Sequence, residues 1–159
     1  MKIAIEALGI HDYGGGRSAT LNLVHNLLAI DQQNEYTLIL NQAEPALVAR
    51  NLQQVILPLK NRFLARLAAQ IYITFSGRRF NVIHYAKNLG IIGQPAPAMI
   101  TIYDMTPLIH PQLFPRLDVW YWQHIQPRML KNAARIIAIS QTTKADILRF
   151  YPLQAHKID

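Results

Sequence analysis

Short apolar segments that favour strands alternate with segments of helical periodicity along almost the whole chain, and this alternation constrains the fold more than any other feature. The first strand is predicted over Lys2–Leu8, and it runs into glycines at positions 9 and 14–16 before a helical pattern begins. Later strands are predicted over Tyr36–Leu40, Gln54–Leu57, Val82–Tyr85, Met99–Tyr103 and Arg135–Ile139. The later helices are predicted over Pro45–Asn51, Asn61–Phe75, Asp118–Asn132 and Gln141–Phe150. Strands that alternate with helices form a parallel sheet covered on both faces, so the predicted class is α/β with a Rossmann-like sheet.

Proline and hydroxyl residues set the ends of two predicted helices. Pro127 should kink or divide the Asp118–Asn132 helix, because proline lacks an amide hydrogen. Ser140 is a good N-cap for the last helix, and we prefer capping to anion binding for its hydroxyl and those of Thr142 and Thr143. With 159 residues and no linker or repeat, the chain fits a single domain, residues 1–159. It ends where an alternating fold would next place a strand, which is unusual for a complete domain.

Composition excludes several classes of protein and of site. The chain has no cysteine, which excludes disulfide frameworks, thiolate metal sites and cysteine nucleophiles. No apolar run approaches the roughly 18 residues of a spanning helix, and Glu6 interrupts the N-terminal segment, so that segment fits a strand and not a signal peptide. Charged residues make up 16% of the chain, against about 25% in ordinary domains, so we expect something else to cover part of the surface. The net charge of +7 favours an anionic partner such as a phosphate, a nucleic acid or a membrane surface.

The segment after the first strand, GIHDYGGGRSA, is a candidate anion site. The successive glycines Gly14, Gly15 and Gly16 let the backbone approach a ligand, and the following helix offers unpaired amide groups to an anion. Arg17 adds a positive charge where the helix dipole disfavours one. The spacing is neither that of the dinucleotide fingerprint nor that of the P-loop. We interpret the segment as a ligand-binding turn, and the alternative is an ordinary tight turn with a surface arginine.

A second polar group lies at the end of the strand Val82–Tyr85. His84 and Tyr85 end the strand, and Lys87 and Asn88 follow in the loop. In an open α/β sheet, ligands bind beyond the carboxyl ends of the strands. These side chains could therefore bind the hydroxyls of a sugar or a similar polyol. The alternative for His84 is a purely structural histidine.

Asp104 is the strongest candidate for catalysis, because it follows a buried strand and should emerge at the same edge of the sheet. An acid at that place can orient a hydroxyl or accept a proton. Tyr103, next to Asp104, is the second candidate for catalysis. Thr106 and His110 also lie close in sequence, and His110 is a weaker candidate, for binding the acceptor or a sugar. The alternative is that Asp104 only caps the turn before Pro107.

The helix Asn61–Phe75 carries both apolar and basic residues. Its apolar residues include Phe63, Leu64, Leu67, Ile71 and Phe75. The basic residues around it are Lys60, Arg62, Arg66, Arg78 and Arg79. This pattern fits attachment to an anionic membrane surface. We prefer the interpretation of an outer helix that packs on the sheet and leaves a solvated basic edge.

Three stretches together resemble the N-terminal half of a GT-B glycosyltransferase of the large retaining family 4. GGGRSATLNLVHNLL is similar to the glycine-rich first turn of that family, and TIYDMTPLIHPQLFP is similar to its TxHDLxPLxxPxxF segment. QPRMLKNAARIIAISQTTKADILRFY is similar to its RxLRxADxIIAVSxxTKxDLxxxY segment. The resemblance covers almost the whole chain, and it depends on the three motifs in this order.

The resemblance implies transfer of a sugar from a nucleotide-sugar donor to a carbohydrate or lipid-linked acceptor, with retention, no metal and no cofactor. It implies that Gly15, Gly16 and Arg17 face the donor phosphates and that Asp104 borders the sugar and the acceptor. It further implies a C-terminal Rossmann domain, with the nucleotide site and a paired-glutamate signature, which this chain lacks. We therefore expect the chain to be inactive by itself, and to work in the cytoplasm or at the inner face of a membrane.

Two positions depart from the family pattern. Tyr103 stands where the family often has a histidine, and a tyrosine with a pKa near 10 is a poor general base at neutral pH, so that role cannot be transferred. Ala134 stands where the family often has an aspartate.

The remaining alternatives belong to other functional classes. A non-catalytic membrane-surface or polyol-binding module would explain the basic helix and the net charge. A nicotinamide-dependent oxidoreductase needs an acid after the second strand, where Asn41 and Gln42 stand and Glu44 is a poor substitute. Nucleic-acid binding is not expected, because the basic residues form no aromatic-interleaved stripe.

Overall fold

The computed structural model describes residues 1–8, 10, 15–88, 90 and 92–159. Within these residues, six parallel strands form one sheet: β1 (Lys2–Glu6), β2 (Glu35–Leu40), β3 (Leu52–Ile56), β4 (Val82–Tyr85), β5 (Ala98–Ile102) and β6 (Arg135–Ala138). Their order is β3-β2-β1-β4-β5-β6, which is the order of the Rossmann fold. The order reverses between β1 and β4, where Glu6 pairs with Tyr85. This confirms the predicted Rossmann-like sheet and places the switch point at the end of β1.

Helices cover the sheet on both faces, as predicted. They are α1 (Gly15–Ile30), α2 (Arg62–Ser76), α3 (Thr106–Ile109), α4 (Arg116–His124), α5 (Gln126–Asn132) and α6 (Gln141–Phe150). Short 3-10 helices follow at Gly77–Arg79, Pro111–Leu113 and Ala155–Lys157.

The described residues form one core cluster on the α1 side of the sheet, and a larger and a smaller cluster on the α2 side, the smaller one made of Leu8, Ala65 and Ala69. On one side, Ile5, Leu38 and Leu40 pack against Val24 and Leu28 of α1. On the other side, the larger cluster joins strand residues to α2, α4, α5 and α6, and includes Ile39, Ile83, Ile100, Ile73, Trp122, Met129 and Ile147. Because alternate residues of a strand face opposite sides, Glu6 lies on the α2 side and His84 on the α1 side.

Proline and serine act as predicted at two helix ends. The predicted helix Asp118–Asn132 is divided into α4 and α5 at Ile125, two residues before Pro127. It also begins earlier than predicted, at Arg116. The Oγ atom of Ser140 accepts a hydrogen bond of 3.1 Å from the amide of Thr143, so Ser140 caps α6.

Two local predictions were wrong. The segment Pro45–Asn51 forms turns and not a helix. The side-chain amide of Gln54 donates hydrogen bonds of 2.9 Å each to the backbone carbonyls of Glu44 and Leu47, which are then not available to a helix. The short helix α3 was not predicted within the proline-rich loop. At the other end of the chain, Ile158 makes a parallel bridge with Ile136, so pairing beyond β6 begins where the alternation calls for a strand.

Candidate functional site

A cavity of about 650 Å³ lies at the carboxyl ends of the strands. Each of β1 to β5 sends at least one residue from its following loop to the wall, namely Leu8, Asn41, Lys60, Lys87, Asn88 and Asp104. Helices α2 and α4 close the sides through Phe63, Arg66, Asp118 and Trp122. The volume falls within the range of about 300–1,000 Å³ that is typical of ligand pockets. The cavity therefore occupies the place at which open α/β sheets bind ligands.

Glu6 is a buried acid near two residues of the cavity wall, and it was not among the site residues predicted from the sequence. It is the last residue of β1, it is 3% exposed, and one carboxylate oxygen accepts a hydrogen bond of 2.9 Å from the amide of Leu8. Burial raises the pKa of Glu6, while Arg66, the Leu8 amide and Lys87 act in the opposite direction. A single acid at the end of the apolar strand KIAIE was the sequence signal that could have revealed it.

Arg66 and Lys87 thus lie close to the buried acid and also belong to the cavity wall. Both line the cavity, and both influence the titration of Glu6. Lys60 adds a third cation at the rim, and Asp104 and Asp118 supply two acids. A wall with charges of both signs can pair with a polar ligand through hydrogen bonds at several points.

Asn88 holds the loop after β4 in place and lines the cavity. Its backbone has a φ of 52°, in the left-handed region that asparagine tolerates better than most residues. Its Oδ1 accepts a hydrogen bond of 2.7 Å from the amide of Tyr103, and its carbonyl accepts one from the side chain of Gln126. Asn88 therefore joins the loop to β5 and α5, in addition to any contact with a ligand.

Asp104 is exposed on the cavity wall, and it also caps the following turn. Its Oδ1 accepts a hydrogen bond of 2.9 Å from the amide of Thr106, which begins α3. The structure therefore shows the capping contact that was the alternative at this position. It also places the carboxylate where a ligand in the cavity can reach it.

Tyr103 lies next to Asp104 in the chain and is absent from the cavity wall. Its amide is held by Asn88, and its carbonyl accepts a hydrogen bond of 3.0 Å from Oγ1 of Thr143. These contacts show how its backbone is fixed. A catalytic role for Tyr103 stays a prediction.

The described part of the predicted glycine turn lies next to Lys87, a residue of the cavity wall. Gly14 falls outside the described residues, and Gly15 and Gly16 form the start of α1. A Cβ atom added to Gly16 would stand 3.3 Å from Cε of Lys87, whereas one added to Gly15 would meet nothing within 4 Å. Arg17 is exposed. The start of α1 and Lys87 therefore lie side by side, and phosphate binding by the glycines and Arg17 stays a prediction.

The remaining candidates lie away from the cavity wall. His84 is 7% exposed, its Nε2 lies 2.9 Å from Oγ1 of Thr101, and burial lowers its pKa to about 4. Tyr85 is fully buried, and burial raises its pKa. Its hydroxyl has no hydrogen-bond partner among the described residues. His110 is exposed, between α3 and the 3-10 helix Pro111–Leu113. In this arrangement His84 has the contacts of a structural histidine, and sugar binding by these three residues stays a prediction.

Within the described residues, no group of three or more histidine, aspartate or glutamate side chains could hold a metal ion. Across the same part of the chain, no helix is long and apolar enough to cross a membrane.

Comparison with known proteins identifies one family by sequence, and solved structures with a similar fold include the two described next. The sequence pattern of Glycosyltransferase Family 4 matches residues 13–159. The structure of Anabaena Alr3699/HepE in complex with UDP and glucose is 14% identical, with a TM-score of 0.64, over 100% of this chain and 43% of that chain. The apo form of the lipopolysaccharide outer core galactosyltransferase WaaB is 13% identical, with a TM-score of 0.52, over 100% of this chain and 44% of that chain. No curated protein matches the chain. At these identities the two structures show the fold alone, and this chain spans less than half the length of either.

Proposed function

Because the chain belongs to glycosyltransferase family 4 and has the fold of an N-terminal GT-B domain, we propose that it supplies the acceptor side of a retaining enzyme. That enzyme transfers a sugar from a nucleotide-sugar donor to an acceptor. The observation that carries the proposal is the cavity of about 650 Å³ to which the loops after β1 to β5 all contribute. A ligand there would lie at the topological switch point of the sheet, between the glycine turn and Asp104.

The cavity wall has the chemistry that an acceptor sugar needs. Asn41, Asn88 and Asp104 offer amide and carboxylate groups that can hydrogen-bond hydroxyls. Trp122 and Phe114 offer apolar surface on which the less polar face of a sugar ring can pack. In this proposal the carboxylate of Asp104 orients the acceptor hydroxyl. The hydroxyl oxygen forms a bond to the donor sugar while the bond from the sugar to the diphosphate breaks, the nucleoside diphosphate leaves with the hydroxyl proton, and no cofactor is needed.

The donor would approach from the side of the glycine turn. Gly15 and Gly16 begin α1, so their amide groups lie at the positive end of a helix of 16 residues, and Arg17 and Lys87 add positive charge beside them. These groups can contact the phosphates of a nucleotide sugar. UDP and glucose are present in the Anabaena structure, which supports a nucleotide-sugar donor for this chain.

A second domain would hold the nucleotide itself. The chain spans 43% and 44% of the two structures with the same fold, and we propose that a C-terminal Rossmann domain completes the enzyme. The 159-residue chain should therefore fold but not transfer sugar by itself. Turnover of UDP-glucose or another nucleotide sugar by the purified chain would contradict this part of the proposal.

The site assignment is tested by substitution in the assembled enzyme. We expect Asp104→Asn to lower transfer strongly at an unchanged melting temperature, since Asp104 is exposed and asparagine can still cap the turn. Glu35→Gln is the matched control, because Glu35 is exposed and begins β2 at the opposite edge of the sheet. Normal transfer by Asp104→Asn would remove Asp104 from the mechanism.

A further inference from the structure

Helix α2 has two apolar sides, and only one of them packs on the sheet. Ala65, Ala69 and Ile73 face the core and are at most 4% exposed. The larger apolar residues lie on the outer side, where they are 46–82% exposed: Phe63, Leu64, Leu67, Ile71 and Phe75. Their spacing places them along one line of the helix. We refer to these five residues as the α2 stripe.

The orientation of the α2 stripe is opposite to that of the large apolar residues in an ordinary outer helix. A helix on the surface of a soluble domain normally turns its large apolar residues inward and its polar residues outward. Here five large apolar residues point outward. The predicted packing of the helix on the sheet is correct, and Lys60, Arg78 and Arg79 form an exposed basic edge as predicted, but the exposed apolar row beside them was not predicted. Scattered apolar residues are ordinary on a surface, whereas a contiguous row marks a surface that something else covers.

A neighbouring loop adds to this surface. The backbone amide and carbonyl of Ile92 form a pair of hydrogen bonds with the side chain of Gln70 on α2, at 3.1 and 2.8 Å. Ile92 is itself 48% exposed. The loop after β4 is therefore fixed to α2 with another apolar residue at the surface.

The stretch of sequence that contains α2 carries cations and no acid. Residues 45–103 contain seven lysines and arginines and no aspartate or glutamate, while the rest of the chain holds nine of each sign. The whole net charge of +7 therefore comes from the segment that contains α2. Lys60 precedes the helix, and Arg78 and Arg79 follow it on the exposed 3-10 turn. An apolar row bordered by cations on a convex helix is complementary to an anionic lipid surface.

The stripe is continuous with the cavity. Phe63 belongs to the α2 stripe and also lines the cavity, and Lys60 and Arg66 lie on the same wall. A bilayer seated on the stripe would thus lie beside one side of the cavity mouth.

We propose that the α2 stripe docks on the surface of an anionic bilayer and that the cavity receives an acceptor carried by a lipid of that bilayer. The docking depends only on the stripe and its cations. The nature of the acceptor rests on the function proposed above.

Docking is tested by sedimentation of the purified chain with phosphatidylcholine vesicles, with and without phosphatidylglycerol, at low and high salt. We expect binding to the anionic vesicles only, and weaker binding at high salt. Leu67→Gln with Ile71→Gln should abolish binding, whereas Leu23→Gln with Ile30→Gln, two exposed apolar residues of α1, should not. Arg78→Gln with Arg79→Gln should weaken binding by about fivefold for each charge, whereas Arg116→Gln with Lys131→Gln, both exposed elsewhere, should change it little.

Three results would overturn the docking. They are the absence of vesicle binding, equal binding to neutral vesicles, and a dimer in solution that Leu67→Gln disrupts while no vesicle binds. The last result would assign the stripe to a second copy of the chain. Asp104→Asn should bind vesicles like the wild type, so the docking can fail or succeed independently of the proposed reaction.

The position of the cavity is tested with a polarity-sensitive fluorophore on Lys60→Cys, at the cavity rim. Because the chain has no cysteine, the label is specific. We expect its emission to shift to the blue when anionic vesicles bind. An unshifted emission from chain that sediments with the vesicles would place the rim away from the bilayer and would remove the lipid-carried acceptor.

Discussion

Helices α1 and α2 have nearly the same length, 16 and 15 residues, and cover opposite faces of one sheet, yet their outer sides differ. α1 buries Thr20, Val24 and Leu28, and most of its exposed residues are small or polar. α2 buries two alanines and Ile73 and exposes five large apolar residues. In each helix the inner residues are enough to pack the helix on the sheet. Packing therefore does not explain why the outer side of α2 is apolar.

The comparison therefore separates two uses of apolar residues. On α1, large apolar residues mostly serve the core, as in an ordinary surface helix. On α2, small residues let the helix approach the sheet closely, and the large ones remain for a partner.

The largest effect is expected from truncation on the inner side of α2. Ile73→Ala removes a fully buried side chain and should lower the free energy of unfolding by about 2–5 kcal/mol. Ile71→Ala, on the α2 stripe, should change it by no more than about 0.5 kcal/mol. Urea unfolding of the two variants measures this. Equal losses would show that the stripe contributes to the fold, and the distinction between the two sides of α2 would fail.

The second effect is a pH dependence from the α1 face. His84 has a folded pKa of about 4 against an ordinary 6.5, because burial disfavours the charged ring. As the pH falls through that interval, the unfolded chain binds a proton that the folded chain does not, so stability is lost toward acid. The loss should reach about 3 kcal/mol below pH 4.

His84→Gln should remove this acid-side loss, measured by urea unfolding at several pH values. His110→Gln, on an exposed histidine, is the control and should retain it. An unchanged acid-side loss in His84→Gln would mean that His84 is accessible to protons in the folded state.

The α2 face should show the opposite dependence through Glu6. Burial raises the pKa of Glu6 above its ordinary value of 4.5. As the pH rises from 4.5 through the folded pKa, the unfolded chain loses its proton more readily than the folded chain, so stability is lost. Glu6→Gln should therefore gain stability relative to the wild type between acid and neutral pH, in melting experiments. Glu35→Gln, at an exposed site, serves as the control. A relative loss at neutral pH would mean that pairing with Arg66 and Lys87 outweighs burial.

The smallest effect is expected at the start of α1. Gly15→Ala meets open space and should stabilise the helix by up to about 1 kcal/mol. Gly16→Ala should gain less, because its methyl group would displace Lys87. Thermal melting compares the two variants. An equal gain would show that Lys87 moves aside at no cost, and would weaken its assignment to the edge of the glycine turn.

The sheet and most helices could be predicted from the sequence because their signals are local. Alternating apolar segments indicate strands, Pro127 divides a helix, and Ser140 caps one, whatever surrounds them. The Pro45–Asn51 prediction failed because a more distant residue, Gln54, takes the carbonyls that a helix would use. The periodicity of the segment itself gives no information about a hydrogen-bond donor outside it.

The site was less predictable because it depends on which residues face each other. Asp104 and Asn88 were selected from their place after strands, and both line the cavity. Glu6 was overlooked although a single acid ends the apolar strand KIAIE, and its proximity to Arg66 and Lys87 is visible only in the folded structure. Periodicity also showed that α2 has an apolar side, but not that alanines would be the residues that face the sheet.

The most direct test of the difference between the two helices is a pair of single fluorescent labels. Phe75→Cys on α2 and Ile30→Cys on α1 start from similar exposure, 82% and 80%, and the chain has no other cysteine. With anionic vesicles, we predict a blue shift and quenching by lipid-borne quenchers at position 75, and neither at position 30. The same response at both positions, or none at position 75, would contradict the account.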